Sequence, residues 1–288
     1  MKILMEESMS KHTSFKIGGD ADVFAIPANE NELVDLIRFL REKNIIYYIV
    51  GKGTNLLISD KGLSGCVVNI FEEMSKITVV GNKILAQAGA LMVQVADEAC
   101  NYNLSGFEPL CGIPGTVGGA IAMNAGAYDC SISDFLISVD VIDENNNIKT
   151  LRKDDLDFSY RHSIIEEKGY IVTKARFELK ESVEEEIRKK MSQFTELRTK
   201  KQPLEYPSAG SVFKRPENAF ASLLIQESDL QGESVGGAEV SKKHAGFIVN
   251  VNNATAKDVY KLIQKIKDRV KTYYNVDLEP EIKIWGKF

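Results

Sequence analysis

Gly112 to Gly126 reads G-I-P-G-T-V-G-G-A-I-A-M-N-A-G, five glycines among small alanines. Glycine lets the backbone approach a ligand closely and turn its N–H groups inward. A pyrophosphate needs several such donors and no bulky neighbours, so the segment is a candidate nest for one; the alternative is a tight turn or helix-packing segment. Gly51-Lys52-Gly53-Thr54-Asn55 follows a strand-like run, as a phosphate loop does. It lacks the third glycine of the dinucleotide fingerprint and the Walker lysine, so alone it also reads as a plain strand-to-loop turn.

Other polar residues stand in apolar or small-residue surroundings. Phe158 to Ser163 sets Arg161 beside Tyr160, and a guanidinium fork suits a carboxylate or phosphate, against the plainer reading of a surface ion pair. Pro207 to Lys214 is a small-residue turn holding Ser208 and Ser211. No G-x-S-x-G elbow is present, which disfavours a serine hydrolase. Leu278-Glu279-Pro280-Glu281-Ile282 offers two carboxylates, of which one is expected in a given site. Val240 to Gly246 is a cationic loop with Lys242 and Lys243, suited either to an anion or to plain solvation. His12, His162 and His244 make no metal pattern.

The elements that must position these residues alternate along the chain. Asp22–Pro27 reads as a strand and Asn29–Lys43 as a helix, with Asn29 and Glu32 at capping-box spacing and a stripe of Leu33, Leu36, Ile37 and Leu40. Strand-like runs follow at Ile45–Val50, Leu56–Ser59 and Cys66–Ile70. A hairpin is expected about Gly81-Asn82. The spacing predicts a helix over Ala90–Tyr102 with Val93, Ala96 and Cys100 on one face. Phe135–Asp143, Ile148–Leu151 and Tyr170–Leu179 read as strands, the first two joined by a polar turn. Glu184–Lys201 is a charged helix with Ile187, Met191, Phe194 and Leu197 at helical spacing, broken by Pro203. A short helix near Ala219–Glu227, a strand Gly246–Val251, a helix Ala256–Tyr274 and a strand Glu281–Trp285 complete the chain.

Composition narrows the class. The 288 residues are 44% hydrophobic and 27% charged, which fits a globular protein of about two domains. The net charge of −5 argues against a dedicated nucleic-acid binder. No run approaches the ~18 apolar residues of a membrane helix, and Glu6 and Glu7 interrupt any signal-peptide core. Cys66, Cys100, Cys111 and Cys130 form no C-x-x-C pair and are expected to be reduced thiols in the cytoplasm. The residues alone reach an α/β enzyme with a pyrophosphate-containing cofactor and leave the reaction open.

Seven motifs in order go further: T-S-F-K-I-G-G-D-A-D from Thr13, G-K-G-T-N-L-L from Gly51, G-I-P-G-T-V-G-G-A from Gly112, M-N-A-G-A-Y from Met123, Y-R-H-S from Tyr160, P-S-A-G-S-V-F-K from Pro207 and L-E-P-E from Leu278. Together they resemble the UDP-N-acetylenolpyruvoylglucosamine reductase family, also called UDP-N-acetylmuramate dehydrogenase or MurB, in its shorter form. The resemblance implies an α+β, FAD-binding fold of the vanillyl-alcohol-oxidase (PCMH) type in two lobes, residues 1–72 and 73–200, plus a C-terminal α/β substrate-binding domain, residues 201–288. It implies that Gly51, Lys52, Gly53, Thr54, Asn55, Leu56, Gly112, Ile113, Pro114, Gly115, Thr116, Gly118, Gly119, Asn124, Ala125 and Gly126 bind FAD. The first loop has no histidine, so the FAD is expected to be non-covalent. NADPH is the implied hydride donor, and flavin would pass hydride to C3 of the enolpyruvyl ether of UDP-N-acetylglucosamine. Arg161 would hold the substrate carboxylate, Glu281 would add a hydrogen bond in a neutral form that burial favours, and Ser211 would protonate C2. Tyr160, Lys214, Lys242 and Lys243 are implied phosphate contacts. Arg215, where the family often has asparagine, and Ser228-Asp229 depart from the pattern. The implied partners are small molecules, with no nucleic acid, no membrane and a monomer plausible. A flavin oxidase on the same fold, or a nucleotide-binding protein without catalysis, would not need Arg161, Ser211 and Glu281 together.

Overall fold

In the computed structural model, which describes residues 1–288, Asn29 caps helix α1 (Glu30–Glu42) by accepting the Glu32 N–H at 3.0 Å. The Glu32 carboxylate reaches back to the Ala28 N–H at 2.8 Å, so the expected spacing does start the helix. Leu33, Ile37 and Leu40 are its buried stripe. By contact the chain divides into two units, residues 1–4, 24–52 and 66–198, and residues 5–23, 53–65 and 199–288.

The first unit carries α1 and a five-stranded antiparallel sheet ordered Ile148–Arg152, Leu136–Ile142, Ile171–Glu178, Lys83–Gln87, Ile77–Val80. The last two strands are the expected hairpin, turned at Gly81 with φ +59°. The Asp143 carboxylate accepts the N–H groups of Asn145 and Asn147 to close the polar turn. Tyr47–Val50 lies parallel to Cys66–Asn69. Helix α2 (Met92–Asn101) buries Met92, Val95, Ala96, Ala99 and Cys100. The expected face is therefore corrected by one register step: Val93 is 39% exposed and Val95 takes its place. Helices α3 (Val117–Ala122) and α4 (Ile164–Glu167) are short.

Helix α5 (Glu184–Lys201) has the expected bounds but only Ile187 is buried, while Leu197 is exposed. Its charged faces are solvated and its apolar stripe is mostly unused. Two polar clusters brace the unit. Arg41 donates to the Tyr47 hydroxyl at 2.9 Å, the Asn146 side chain at 3.0 Å, and the carbonyls of Asp143 and Gly169. Arg176 forks onto both oxygens of buried Asp140 at 2.8 Å, and Thr150 donates to the same carboxylate. Burial opposes the Asp140 charge, but these hydrogen bonds outweigh it and hold the carboxyl below its ordinary range.

The second unit has a four-stranded antiparallel sheet ordered Ser208–Ser211, Phe247–Asn250, Ala238–Val240, Ser234–Val235. Lys283–Trp285 pairs in parallel with Leu56–Ile58. Helices α6 (Ala221–Glu227) and α7 (Ala256–Tyr274) complete it. Thr255 caps α7, and the Asp60 carboxylate accepts the N–H groups of Ala256 and Lys257 beside it. Phe15, Ile17 and Leu57 from early in the chain share one core with Val212, Ile248 and Leu262. The last strand starts at Lys283, later than expected, leaving Glu281 in irregular backbone. The four cysteines are free, and no helix is long and apolar enough to cross a membrane.

Candidate functional site

In the first unit, the two glycine segments meet. A side-chain carbon placed on Gly51 would lie 2.3 Å from Thr116 Oγ1, so only glycine fits there. Thr116 itself caps α3, accepting the Gly119 N–H at 3.4 Å. Gly118 serves packing, its N–H bonded to the Ala88 carbonyl at 2.8 Å and its bare face 3.0 Å from where a side chain would strike Ala88 Cβ. Gly119 is more open, with Thr116 Oγ1 the nearest atom at 3.5 Å. The segment is therefore both of the things its composition allowed: a packed short helix and a side-chain-free surface. Ile113 and Gly115 are half-buried and tied by backbone bonds to Leu110 and Met92, and Pro114 is exposed. Lys52 is exposed, 5.9 Å from the Phe71 ring centroid.

Three hydrogen bonds lay the Ser159–Ser163 segment on the end of this glycine run. Asn124 Nδ2 donates to the Ser159 carbonyl at 3.0 Å, Ser163 Oγ to the Ala122 carbonyl at 2.8 Å, and Arg161 Nη2 to the Gly126 carbonyl at 3.3 Å. Arg161 sits at φ +56°, sparsely populated by non-glycine residues, and its guanidinium lies 5.1 Å from the exposed Tyr160 ring. Ala125 is fixed by its N–H to the Ala120 carbonyl. Asn124 is also in the left-handed region, and its Oδ1 is buried with no donor. A buried acceptor left open is costly unless a ligand N–H fills it. A flavin dinucleotide fits these residues: it brings ring and amino N–H groups for Asn124 and needs the side-chain-free surface that Gly119 leaves.

In the second unit, Ser211 ends its strand with its side chain exposed, next to Gly210 at φ +77°. The chain from Val212 onward pairs with the 279–281 segment: the Glu281 N–H donates to the Val212 carbonyl at 2.7 Å and the Lys214 N–H to the Glu279 carbonyl at 2.9 Å. Glu281 thus bonds to the residue directly after Ser211. The two carboxylates have different surroundings. Glu279 is exposed and salt-bridged to Lys214 at 2.6 Å, whereas Glu281 is half-buried. Asn55 holds the Glu281 backbone, donating from Nδ2 to its carbonyl at 3.1 Å, while the Asn55 carbonyl accepts the Lys283 N–H at 2.9 Å. Gly53, at φ +68°, packs so tightly on the His12 carbonyl that no side chain fits. Thr54 is half-buried and Leu56 buried beside it.

Lys242 and Lys243 diverge: Lys242 is 76% exposed, 3.6 Å from Glu239, and Lys243 donates to the Thr199 carbonyl at 2.7 Å. The Asn55 tether has no local signal, because its partner lies 226 positions away. Nor has Arg198, a helix residue that lies over Gly112.

Comparison with known proteins identifies the fold and the family. A family model described as an FAD binding domain matches residues 21–152, and one described as the C-terminal domain of UDP-N-acetylenolpyruvoylglucosamine reductase matches residues 202–285. A UDP-N-acetylenolpyruvoylglucosamine reductase of Caldanaerobacter subterraneus subsp. tengcongensis is 50% identical over 286 residues, 99% of this chain and 94% of the relative. The crystal structure of MurB from Thermus caldophilus superposes with a TM-score of 0.84 at 34% identity, covering 99% of this chain and 98% of that one. Cholesterol oxidase from B. sterolicum, at 15% identity and a TM-score of 0.50 over 62% of this chain and 37% of its own, shares the fold alone. The expected FAD-binding fold with its C-terminal domain is the fold observed. By sequence over nearly its whole length, and by structure, the chain belongs to the UDP-N-acetylenolpyruvoylglucosamine reductase family.

Proposed function

We propose that the protein reduces UDP-N-acetylglucosamine enolpyruvyl ether to UDP-N-acetylmuramate with electrons from NADPH, a step in peptidoglycan precursor synthesis in the cytoplasm. The observation that carries this reading is the backbone pairing of Val212, the residue after Ser211, with Glu281 in a chain of that family. FAD, when bound, supplies the hydride for C3 of the enolpyruvyl group and is restored by NADPH.

This chain's residues do the rest. The Gly51–Leu56 loop and the segment Gly112 to Gly126 hold the dinucleotide without a covalent bond. Arg161 binds the substrate carboxylate and stabilises the negative charge that spreads into it as C3 accepts hydride. Its constrained backbone and its bond to the Gly126 carbonyl preset its direction. Glu281, in its protonated form, adds a second hydrogen bond to that carboxylate. Ser211 donates its proton to C2; a hydroxyl is a weak acid, but a carbanionic C2 is a strong base. Tyr160, Lys214, Lys242 and Lys243 serve the phosphates of the substrate or NADPH. Residues 1–72 and 73–200 form the FAD-binding lobes and residues 201–288 the substrate domain.

Separating the two half-reactions tests this assignment. Under anaerobic conditions Ser211→Ala should be bleached by NADPH at the normal rate, while recolouring by the enolpyruvyl substrate should slow by roughly 10² or more, the usual scale of a lost general acid. Equal slowing of both halves would make Ser211 structural. A wild-type protein that carries no yellow cofactor, or is not recoloured, would overturn the function itself.

A further inference from the structure

The turn that carries Arg161 is fastened by more than the glycine run. The His162 N–H donates to the Ser159 carbonyl at 3.2 Å and the Ser159 N–H to the His162 carbonyl at 3.3 Å, so Tyr160 and Arg161 form a two-residue tip. Arg161 takes the left-handed position of that tip, where glycine or asparagine is the usual occupant. A non-glycine residue stays in such a conformation only where its surroundings impose it. Asn124 and Ser163 tie the two flanks of the tip to the glycine run. A further tie starts from His162, whose Nε2 lies 3.8 Å from Asp157 Oδ2 and 3.6 Å from Glu167 Oε1.

The two carboxylates flank the tip in the chain. Asp157 precedes it, at the end of the Lys153–Leu156 turn, and Glu167 follows it on α4. The other charges of these segments are Lys153, Asp154 and Asp155 on the turn, Glu166 on α4, Lys168 at its C-terminal cap and Arg161 itself, which reaches the Gly126 carbonyl; α3 carries none. Of the carboxylates, Asp157 and Glu167 are the ones that pair with the imidazole. His162 is half-buried and both partners are exposed, so water screens the pairs and each is weak. A weak bias is enough to shift a strained turn between two forms of similar energy. Imidazole is the side chain whose ordinary charge change falls between about pH 5 and 8, and carboxylates stay ionised across that range.

We propose that His162 is a positioning residue: its protonated imidazole, held between Asp157 and Glu167, keeps the Arg161 turn in the form that receives the substrate carboxylate. The inference rests on the reading of Arg161 as the site of that carboxylate. A neutral imidazole attracts neither partner strongly, so the latch is closed on the acid side of the imidazole titration and open on the alkaline side. Apparent affinity scales with the fraction of protein in the receptive form. Two exposed ion pairs change that fraction roughly threefold.

The test is equilibrium binding to the oxidised, flavin-loaded enzyme, read from the flavin absorbance. The ligands are the enolpyruvyl ether of UDP-N-acetylglucosamine and UDP-N-acetylglucosamine itself, which lacks the carboxylate; neither changes charge near neutral pH. Wild-type affinity for the ether should weaken roughly threefold between about pH 6 and about pH 8, and affinity for UDP-N-acetylglucosamine should not follow it. His162→Gln should stay flat at the weaker, alkaline value. His162→Lys, a permanent cation, should stay flat at the tighter, acid value. Asp157→Asn combined with Glu167→Gln should remove the pH dependence while His162 is intact. A wild type without this dependence, or a His162→Gln enzyme that keeps it, overturns the proposal. So does a lower melting temperature in both His162 variants with equal weakening of both ligands, the mark of a purely structural residue. An Arg161→Met enzyme that binds the ether as the wild type does would overturn the carboxylate role of Arg161, and with it the functional reading on which the latch rests.

Discussion

Replacing Gly51 by alanine tests whether the two glycine segments are held in contact. The new methyl would lie 2.3 Å from Thr116 Oγ1, 3.1 Å from Cγ2 and 3.2 Å from Cβ. Thr116 has two ways to respond. It can rotate away and give up the Gly119 N–H that it caps, at about 1 kcal/mol. It can stay and force the loops apart, at about 1–3 kcal/mol for overpacking. The expected cost is therefore about 1–3 kcal/mol. It should appear as lower thermal stability of the holoprotein plus a weaker FAD dissociation constant, up to roughly 100-fold if all of it falls on binding. Truncating the obstacle should rescue: Thr116→Ala alone costs the cap, about 1 kcal/mol, but removes both the Oγ1 and the Cγ2. The double variant should then be little worse than Thr116→Ala, a coupling of about 1 kcal/mol or more. Thr116→Ser keeps the hydroxyl and should rescue poorly. Additive single costs, or a Gly51→Ala protein with normal melting and flavin affinity, would refute the contact.

Asn55→Ala should free the Glu281 carbonyl and slow recolouring by the enolpyruvyl substrate about fivefold more than bleaching by NADPH, from the loss of about 1 kcal/mol of hydrogen bonding; equal slowing in anaerobic stopped flow would contradict it. Arg41→Met removes four hydrogen bonds that join α1 to one strand and two loops and should lower unfolding free energy by about 2–4 kcal/mol in denaturant titrations, with a value near zero refuting the clamp. Asp140 is held below its ordinary pKa, so its contribution is full above the unfolded value of about 3.9 and is lost as pH falls from there toward the lower folded value. Asp140→Asn should therefore flatten the wild-type loss of stability between about pH 5 and its acid limit, and identical pH slopes would exclude the linkage.

Much of this was legible because it is local. Asn29 with Glu32 announced the start of α1, Gly81-Asn82 a hairpin, and Pro203 the end of α5. Periodicity placed α7 correctly and misjudged α2 by one step, because Val93 and Val95 are equally apolar and only tertiary packing chooses between them. In α5 it found the bounds and overstated the buried stripe, since a charged helix can keep apolar residues at the surface. The glycines marked the cradle, but not that Gly51 abuts Thr116 or that Gly118 serves packing. The Asn55–Glu281 bond and the Arg198–Gly112 approach join residues far apart in the chain, and single-sequence spacing carries no trace of such pairs.

The interleaving of the two units bears on how the chain emerges from the ribosome. Phe15 and Ile17 share their core with Ala209 and Val212, made about 190 residues later. At roughly 5–20 residues per second the wait is on the order of 10–40 s, during which these early apolar side chains lack their late partners. The second unit therefore closes only once synthesis is nearly finished, and no cut at a single peptide bond can release either unit whole.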